Sequence, residues 1–149
     1  MTSIAIGKQI EILLVEDDAA DATRMRLALD QSDIHYNLHV MDDGEQALDF
    51  LRKEGRFQDA AEPDLALVDI SLPKMDGLEL LAEIRSNENL RHLPVVILTG
   101  SQDPNHVRRA NDLQANLFIT KSETFDGFAA VMDQVFKVID LSQPATRDD

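Results

Sequence analysis

The segment DLALVDISLP, residues 64–73, decides the fold of this chain and raises the first question about its function. Its apolar run Leu65–Ile70 is short and is typical of a β-strand that is buried on both faces of a sheet. Asp69 lies near the end of this run, where an ionised carboxylate is costly unless a partner compensates its charge. The segment therefore predicts either a strand that stops at Asp69 and releases it into water, or a carboxylate with charged neighbours.

Five apolar runs alternate along the chain with five amphipathic segments, and prolines and glycines separate them. This order predicts a doubly wound α/β fold, in which helices cover both faces of a five-stranded parallel sheet. Right-handed crossovers favour the flavodoxin-like strand order 2-1-3-4-5. The predicted strands are Ile10–Val15, Tyr36–Met41, Leu65–Ile70, Val95–Thr99 and Leu117–Thr120, and the predicted helices are Ala19–Gln31, Gly44–Lys53, Gly77–Ser86, Pro104–Leu113 and Thr124–Leu141.

The composition limits the classes of protein that the chain can belong to. Its 149 residues suggest one domain, with a core at about 10–141 and loose ends at 1–9 and 142–149. The net charge of −14 argues against nucleic acid and anionic membranes as partners. The absence of cysteine excludes disulfides and thiolate metal sites. Because we find neither a signal peptide nor an apolar stretch of roughly 20 residues, we expect a cytoplasmic protein.

Polar side chains collect at the carboxyl ends of the predicted strands, where ligands bind in open α/β sheets. They are Glu16, Asp17 and Asp18 after the first strand, Asp69 on the third, Thr99 on the fourth and Lys121 after the fifth. Clustered carboxylates repel one another unless a cation binds among them, and Mg²⁺ prefers such oxygen ligands. Lys121 adds a positive charge that suits phosphate. The set predicts phosphoryl transfer, with Asp69 as a nucleophile that forms an aspartyl-phosphate.

The four motifs LLVEDD, LVDISLPKMDG, VVILTG and FITKS stand in this order on four strand ends. Together they resemble the CheY-like receiver domains of two-component response regulators, over about residues 10–139. The resemblance implies a single-domain response regulator of a phosphorelay, which accepts a phosphoryl group from a histidine kinase. It also implies that the protein is not an enzyme beyond catalysing its own phosphorylation and dephosphorylation.

The resemblance assigns the phosphoacceptor and the metal ligands. Asp69 matches the phosphoacceptor. Glu16 and Asp17 match the acidic pair that holds Mg²⁺, Asp17 directly and Glu16 through water. Ser71 matches the position whose backbone carbonyl completes the metal site.

The resemblance also assigns the residues that respond to phosphorylation. Thr99 matches the switch hydroxyl that moves toward the phosphoryl group, and Lys121 matches the lysine that pairs with this group. Phe118 matches the aromatic rotamer switch. One departure from the family pattern is Ser122, which follows Lys121 where most members have a proline after a cis peptide bond.

The last predicted helix has an apolar arc that is wider than the core face of a surface helix needs. Its apolar residues are Phe125, Phe128, Ala129, Val131, Met132, Val135, Phe136, Val138 and Ile139. We expect a homodimer through this helix, the fourth helix and the fifth strand, although a more deeply buried helix would show the same pattern. The chain ends soon after this helix, so we expect an output through protein contacts and no DNA-binding domain.

The segments EGRFQDAAEPDLALVD and RHLPVVILTGS, with the Lys121–Ser122 pair, resemble the small stand-alone regulators that partner bacterial phytochrome kinases. This resemblance implies a sensor histidine kinase, such as a bacteriophytochrome, as the partner.

Two alternatives remain open. One is a degenerate receiver that is never phosphorylated and serves as a docking module, against which the intact Asp69, Asp17 and Lys121 argue. The other is a Mg²⁺-dependent phosphohydrolase of the haloacid dehalogenase type, which also uses an aspartyl nucleophile. Those enzymes need a second aspartate two residues later, where this chain has Ser71.

Overall fold

The computed structural model describes residues 9–32, 34–100, 103–121 and 134–137. They form a five-stranded parallel sheet with the predicted order 2-1-3-4-5. The strands are β1 (Ile10–Val15), β2 (Tyr36–Met41), β3 (Leu65–Asp69), β4 (Val95–Thr99) and β5 (Leu117–Thr120), and the helices are α1 (Ala19–Asp30), α2 (Gly44–Arg52), α3 (Gly77–Ser86) and α4 (Pro104–Asp112). In the described part of the chain, no helix has the length and apolar character needed to cross a membrane.

The five strands and helices α1 to α4 match the predicted ones to within one residue, and a short 3-10 helix at Gly55–Phe57 was not predicted. β3 ends at Asp69 because the carbonyl of Ile70 accepts hydrogen bonds from the backbone N–H groups of Leu72 and Gly77, which turn the chain away from the sheet. The other three differences lie at helix ends, where the last predicted residue is the C-cap. These residues are Gln31, Lys53 and Leu113.

The predicted last helix lies largely outside the described residues. Only 134–137 of its residues are described, and they are helical. Of the predicted loose ends at 1–9 and 142–149, only Gln9 lies within the described residues, and the Lys121–Ser122 peptide bond also involves a residue outside them.

An aspartate begins each of the four helices α1 to α4. In each case its side chain accepts a hydrogen bond from one or two backbone N–H groups of the first turn, which have no partner within the helix. The four N-cap residues are Asp18, Asp43, Asp76 and Asp103. Asp76 also forms a capping box with Glu79. Part of the acidic excess is therefore used to start the helices just beyond the carboxyl ends of the strands.

The sheet separates two layers of hydrophobic core. On one face Met25 and Leu29 of α1 pack with Val135, and on the other face Leu81 of α3 and Ala110 of α4 are fully buried. β3 is buried along its whole length, as the apolar run around Asp69 predicted, and β4 is buried in the same way. Packing on both faces fixes the positions of the strand ends, from which the polar side chains extend.

Two glycines allow the loop after Asp69 to approach neighbouring backbone closely. A Cβ atom on Gly77 would lie 2.2 Å from the carbonyl oxygen of Asp69, and a Cβ atom on Gly44 would lie 2.3 Å from the carbonyl oxygen of Met75. Any side chain at either position would therefore push the backbone apart. The β3–α3 loop is thus packed against both β3 and the start of α2, and this packing holds Asp69 in place.

Candidate functional site

Four polar residues predicted from the sequence meet at the carboxyl edge of the sheet. Glu16 follows β1, Asp69 and Thr99 end β3 and β4, and Lys121 follows β5. Glu16, Asp69 and Thr99 are at most 5% exposed. Because β1, β3, β4 and β5 are adjacent in the sheet, residues distant in the sequence come together here. The strand ends therefore form one partly buried polar site.

The ammonium group of Lys121 lies at the centre of this site. Its Nζ lies 2.8 Å from Glu16 Oε1, 2.7 Å from Asp21 Oδ2 and 3.1 Å from Asp69 Oδ2. The Lys121 side chain is only 14% exposed. This geometry answers the question raised by residues 64–73: β3 does end at Asp69, but the carboxylate is buried and has a charged partner.

Asp21 was not predicted as a site residue from the sequence. It lies in the first turn of α1, three residues after the N-cap Asp18, and its backbone N–H donates to Asp18 Oδ1 at 3.1 Å. An acid in the first turn of a helix is ordinarily explained by the helix dipole. The sequence feature that could have identified Asp21 is the short β1–α1 connection, which places the first turn of α1 above the end of β1.

Three carboxylates are suitably placed to hold a divalent metal ion. Glu16, Asp17 and Asp69 each offer an oxygen atom, and these atoms lie within 4.8 Å of one another. Glu16 and Asp69 are buried, whereas Asp17 is exposed to water. An all-oxygen set with one side open to solvent fits Mg²⁺, which uses few carboxylates and keeps several water ligands. The residues present therefore fit the predicted ion.

Burial and charge change the protonation of this cluster. Burial raises the pKa of Glu16 from 4.5 to about 7, and the charge of Asp69 adds to this effect while Lys121 opposes it. Burial would lower the pKa of Lys121, but its hydrogen bonds to Asp21 and Glu16 and the charge of Asp69 raise it above its usual value. Lys121 therefore stays charged at neutral pH, whereas Glu16 exchanges its proton near neutrality.

The remaining predicted residues lie on the loop after Asp69 and on β4 and β5. The backbone N–H of Ser71 donates to Asp69 Oδ1 at 3.3 Å, while the Ser71 side chain is exposed. Thr99 pairs in register with Thr120 on β5. Phe118 is partly buried and packs against the core layer that includes α2, α3 and α4. The structure thus brings Ser71 and Thr99 to the predicted edge and packs the partly buried Phe118 side chain against the core.

Comparison with known proteins identifies the family. The family model of the response regulator receiver domain matches residues 12–133. The chain belongs to this family. Response regulator Rcp1 of Synechocystis sp. is 41% identical over 111 residues, which are 74% of this chain and 76% of Rcp1.

Two solved structures are similar to this response regulator over most of its length. The Mn²⁺-bound form of Rcp1 has a TM-score of 0.73 and 37% identity, and covers 87% of this chain and 89% of its own. The phosphorylated cyanobacterial phytochrome response regulator RcpA has a TM-score of 0.80 and 36% identity, and the match covers 93% of this chain and 98% of RcpA. The predicted receiver fold and the similarity to phytochrome-associated regulators are confirmed. The roles of individual residues remain predictions.

Proposed function

We propose that this protein is a phosphoryl-accepting response regulator in which Asp69 takes a phosphoryl group from a histidine kinase in the presence of Mg²⁺. One observation carries the proposal. The buried Asp69 has Lys121 Nζ at 3.1 Å on one side and two further acids, Glu16 and Asp17, close enough to share a metal ion with it. A nucleophilic carboxylate, a fixed cation and a metal-binding group are the parts that phosphoryl transfer to a carboxylate requires.

The transfer breaks one bond to phosphorus and forms another. A carboxylate oxygen of Asp69 bonds to phosphorus as the bond to the donor's histidine nitrogen breaks, and that nitrogen keeps the electron pair. Lys121 balances the charge on the phosphoryl oxygens, and the hydroxyl of Thr99, at the end of β4, donates to one of them. Glu16, Asp17, Asp69 and the backbone carbonyl of Ser71 would hold Mg²⁺, which supplies further positive charge when bound. Attack by water later releases the phosphate.

The proposal also covers the partners of this protein. The similarity to RcpA, which is a phytochrome response regulator, supports a light-sensing histidine kinase as the phosphoryl donor. The net charge of −14 supports an output through protein contacts rather than through nucleic acid. A cytoplasmic location is part of the same proposal. A homodimer through the last helix, α4 and β5 remains a proposal. Phosphorylation would then shift the population toward the form that binds a partner or a second copy.

The two alternatives have less support. A docking module that is never phosphorylated would not need Lys121 within 3.1 Å of the carboxylate of Asp69. A phosphohydrolase of the haloacid dehalogenase type would need a general acid two residues after the nucleophile. Ser71 occupies that position, and its side chain is exposed.

Intact-mass measurement after incubation with acetyl phosphate and Mg²⁺ tests the proposal directly. We expect a gain of one phosphoryl group, which is lost on hydrolysis. The gain should be abolished by Asp69→Asn and by removal of the metal ion, and it should persist in Asp49→Asn, which removes an exposed carboxylate on α2. A mass gain in Asp69→Asn equal to that of the wild type would place the acceptor elsewhere. No gain in the wild type, with acetyl phosphate or with a phosphorylated kinase, would favour the docking module.

A further inference from the structure

Asp21 contacts Lys121 from the α1 side of the site but is not part of the group that could hold a metal ion. Its Oδ2 lies 2.7 Å from Lys121 Nζ, which is the shortest of the three ion-pair contacts of that ammonium. The carboxylates that could hold an ion are Glu16, Asp17 and Asp69. Lys121 is therefore shared between two acids that would also bind a cation and one acid that would not.

We propose that Asp21 is a positioning residue that acts through Lys121. It holds the ammonium on the α1 side of the site and so leaves Glu16 and Asp69 available to a divalent cation. This inference rests on the proposed function and adds to it a control over metal affinity. Without Asp21, Lys121 would turn fully toward Glu16 and Asp69 and would compete with the metal ion for their oxygens.

The surroundings of Asp21 suit this task. Its backbone is fixed by the N-cap of α1, through the hydrogen bond from its N–H to Asp18 Oδ1. Its side chain is 19% exposed, so its pairing with Lys121 is screened less than a pair on the open surface. A second contact, to Arg24, is 3.7 Å long, and the Arg24 side chain is 63% exposed, so it contributes little. The charge of Asp21 therefore acts mainly on Lys121.

A double-mutant cycle on metal affinity separates positioning from simple charge. We would titrate Mn²⁺ into the wild type, Asp21→Asn, Lys121→Met and the double variant, and follow free Mn²⁺ by electron paramagnetic resonance. Asp21→Asn removes the same negative charge in both backgrounds, but it can release a competing ammonium only where Lys121 is present. Asp49→Asn on the exposed face of α2 controls for the loss of a remote charge.

We expect Asp21→Asn to weaken Mn²⁺ binding at least about fivefold more in the wild type than in Lys121→Met, which lies within the range of couplings in one salt-bridge network. Asp21→Glu, which keeps the charge, should bind Mn²⁺ within about twofold of the wild type. Equal or greater weakening in the Lys121→Met background would overturn the inference, because Asp21 would then act as a diffuse charge. No weakening in either background would also overturn it.

The same variants keep this inference separate from the proposed function. If the wild type accepts a phosphoryl group but the cycle shows no coupling, the role of Asp21 is wrong and the receiver function stands. If the wild type accepts none, the proposed function is wrong, and the binding cycle still decides whether Asp21 controls Lys121.

Discussion

Glu16→Gln should make the metal-free protein more stable at alkaline pH, even though it removes a partner of Lys121. In the folded protein the pKa of Glu16 is raised from 4.5 to about 7, mainly by burial. The folded protein therefore holds this proton more tightly than the unfolded chain does. The stabilisation that comes from this more tightly held proton is fully present below about pH 4.5 and is lost as pH rises through about 7. A glutamine, which stays neutral, should avoid this loss.

The magnitude follows from the size of the pKa change. A change of one pKa unit corresponds to about 1.4 kcal/mol, so the difference between 4.5 and about 7 is worth on the order of 3 kcal/mol at pH values above both. Water entry and side-chain relaxation reduce the cost of a buried charge, and an amide replaces a protonated carboxyl imperfectly. We therefore expect the variant to be more stable by about 1–3 kcal/mol near pH 8.

Urea unfolding in the presence of a chelator, at about pH 5 and about pH 8, measures this difference. The advantage of Glu16→Gln should shrink toward about pH 5, where Glu16 of the folded wild type is protonated. Glu88→Gln, which changes an exposed side chain, should show no such trend. Added Mg²⁺ should stabilise the wild type more than Glu16→Gln, because Glu16 belongs to the candidate metal group. A variant that is less stable than the wild type near pH 8 would refute the reasoning, since the ion pair with Lys121 would then outweigh the cost of burial.

Two further substitutions test contacts of the loops at the two edges of the sheet, with Arg85 near the amino ends of β4 and β5 and Gly77 beside Asp69 at the carboxyl edge. Arg85 donates hydrogen bonds to the carbonyls of Leu93 and Gln114 and to the side chain of Asn116. Arg85→Ala should therefore lower the free energy of urea unfolding by about 2–3 kcal/mol. A loss below about 0.5 kcal/mol would show that water replaces these bonds. Gly77→Ala should cost about 3 kcal/mol or more, because its Cβ would lie 2.2 Å from the carbonyl oxygen of Asp69. Urea unfolding would measure this loss of stability, and a variant as stable as the wild type would mean that the loop can shift freely.

The fold could be predicted from the sequence because its signals are local and repeated. Each strand is a short apolar run, and each helix from α1 to α4 begins at an aspartate that serves as its N-cap. The order of the elements then leaves few topologies for a parallel sheet. The site residues at strand ends could be predicted for the same reason, since Glu16, Asp69, Thr99 and Lys121 all lie where a parallel sheet collects its ligands.

Contacts between helices and distant loops could not be predicted in this way. Asp21 reaches Lys121 across 100 positions of sequence, and its helical setting already explains an acid at that place. Arg85 lies in the last turn of α3 as an ordinary basic residue, yet its guanidinium joins the α3–β4 and α4–β5 connections. In both cases the residue type satisfies a local rule, so the sequence contains no conflict that would point to a distant partner.

The charges of the site indicate the order in which its ligands should bind. When ionised, the carboxylates of Glu16, Asp17, Asp21 and Asp69 outnumber the one ammonium of Lys121 and leave three negative charges uncompensated. A divalent cation would reduce this excess to one. A phosphoryl donor is itself an anion, so its approach to the metal-free site is opposed by the carboxylates that surround Asp69. We therefore expect the cation to bind before the phosphoryl donor, and the position of Lys121 between Asp21 and Asp69 to determine how readily it does so.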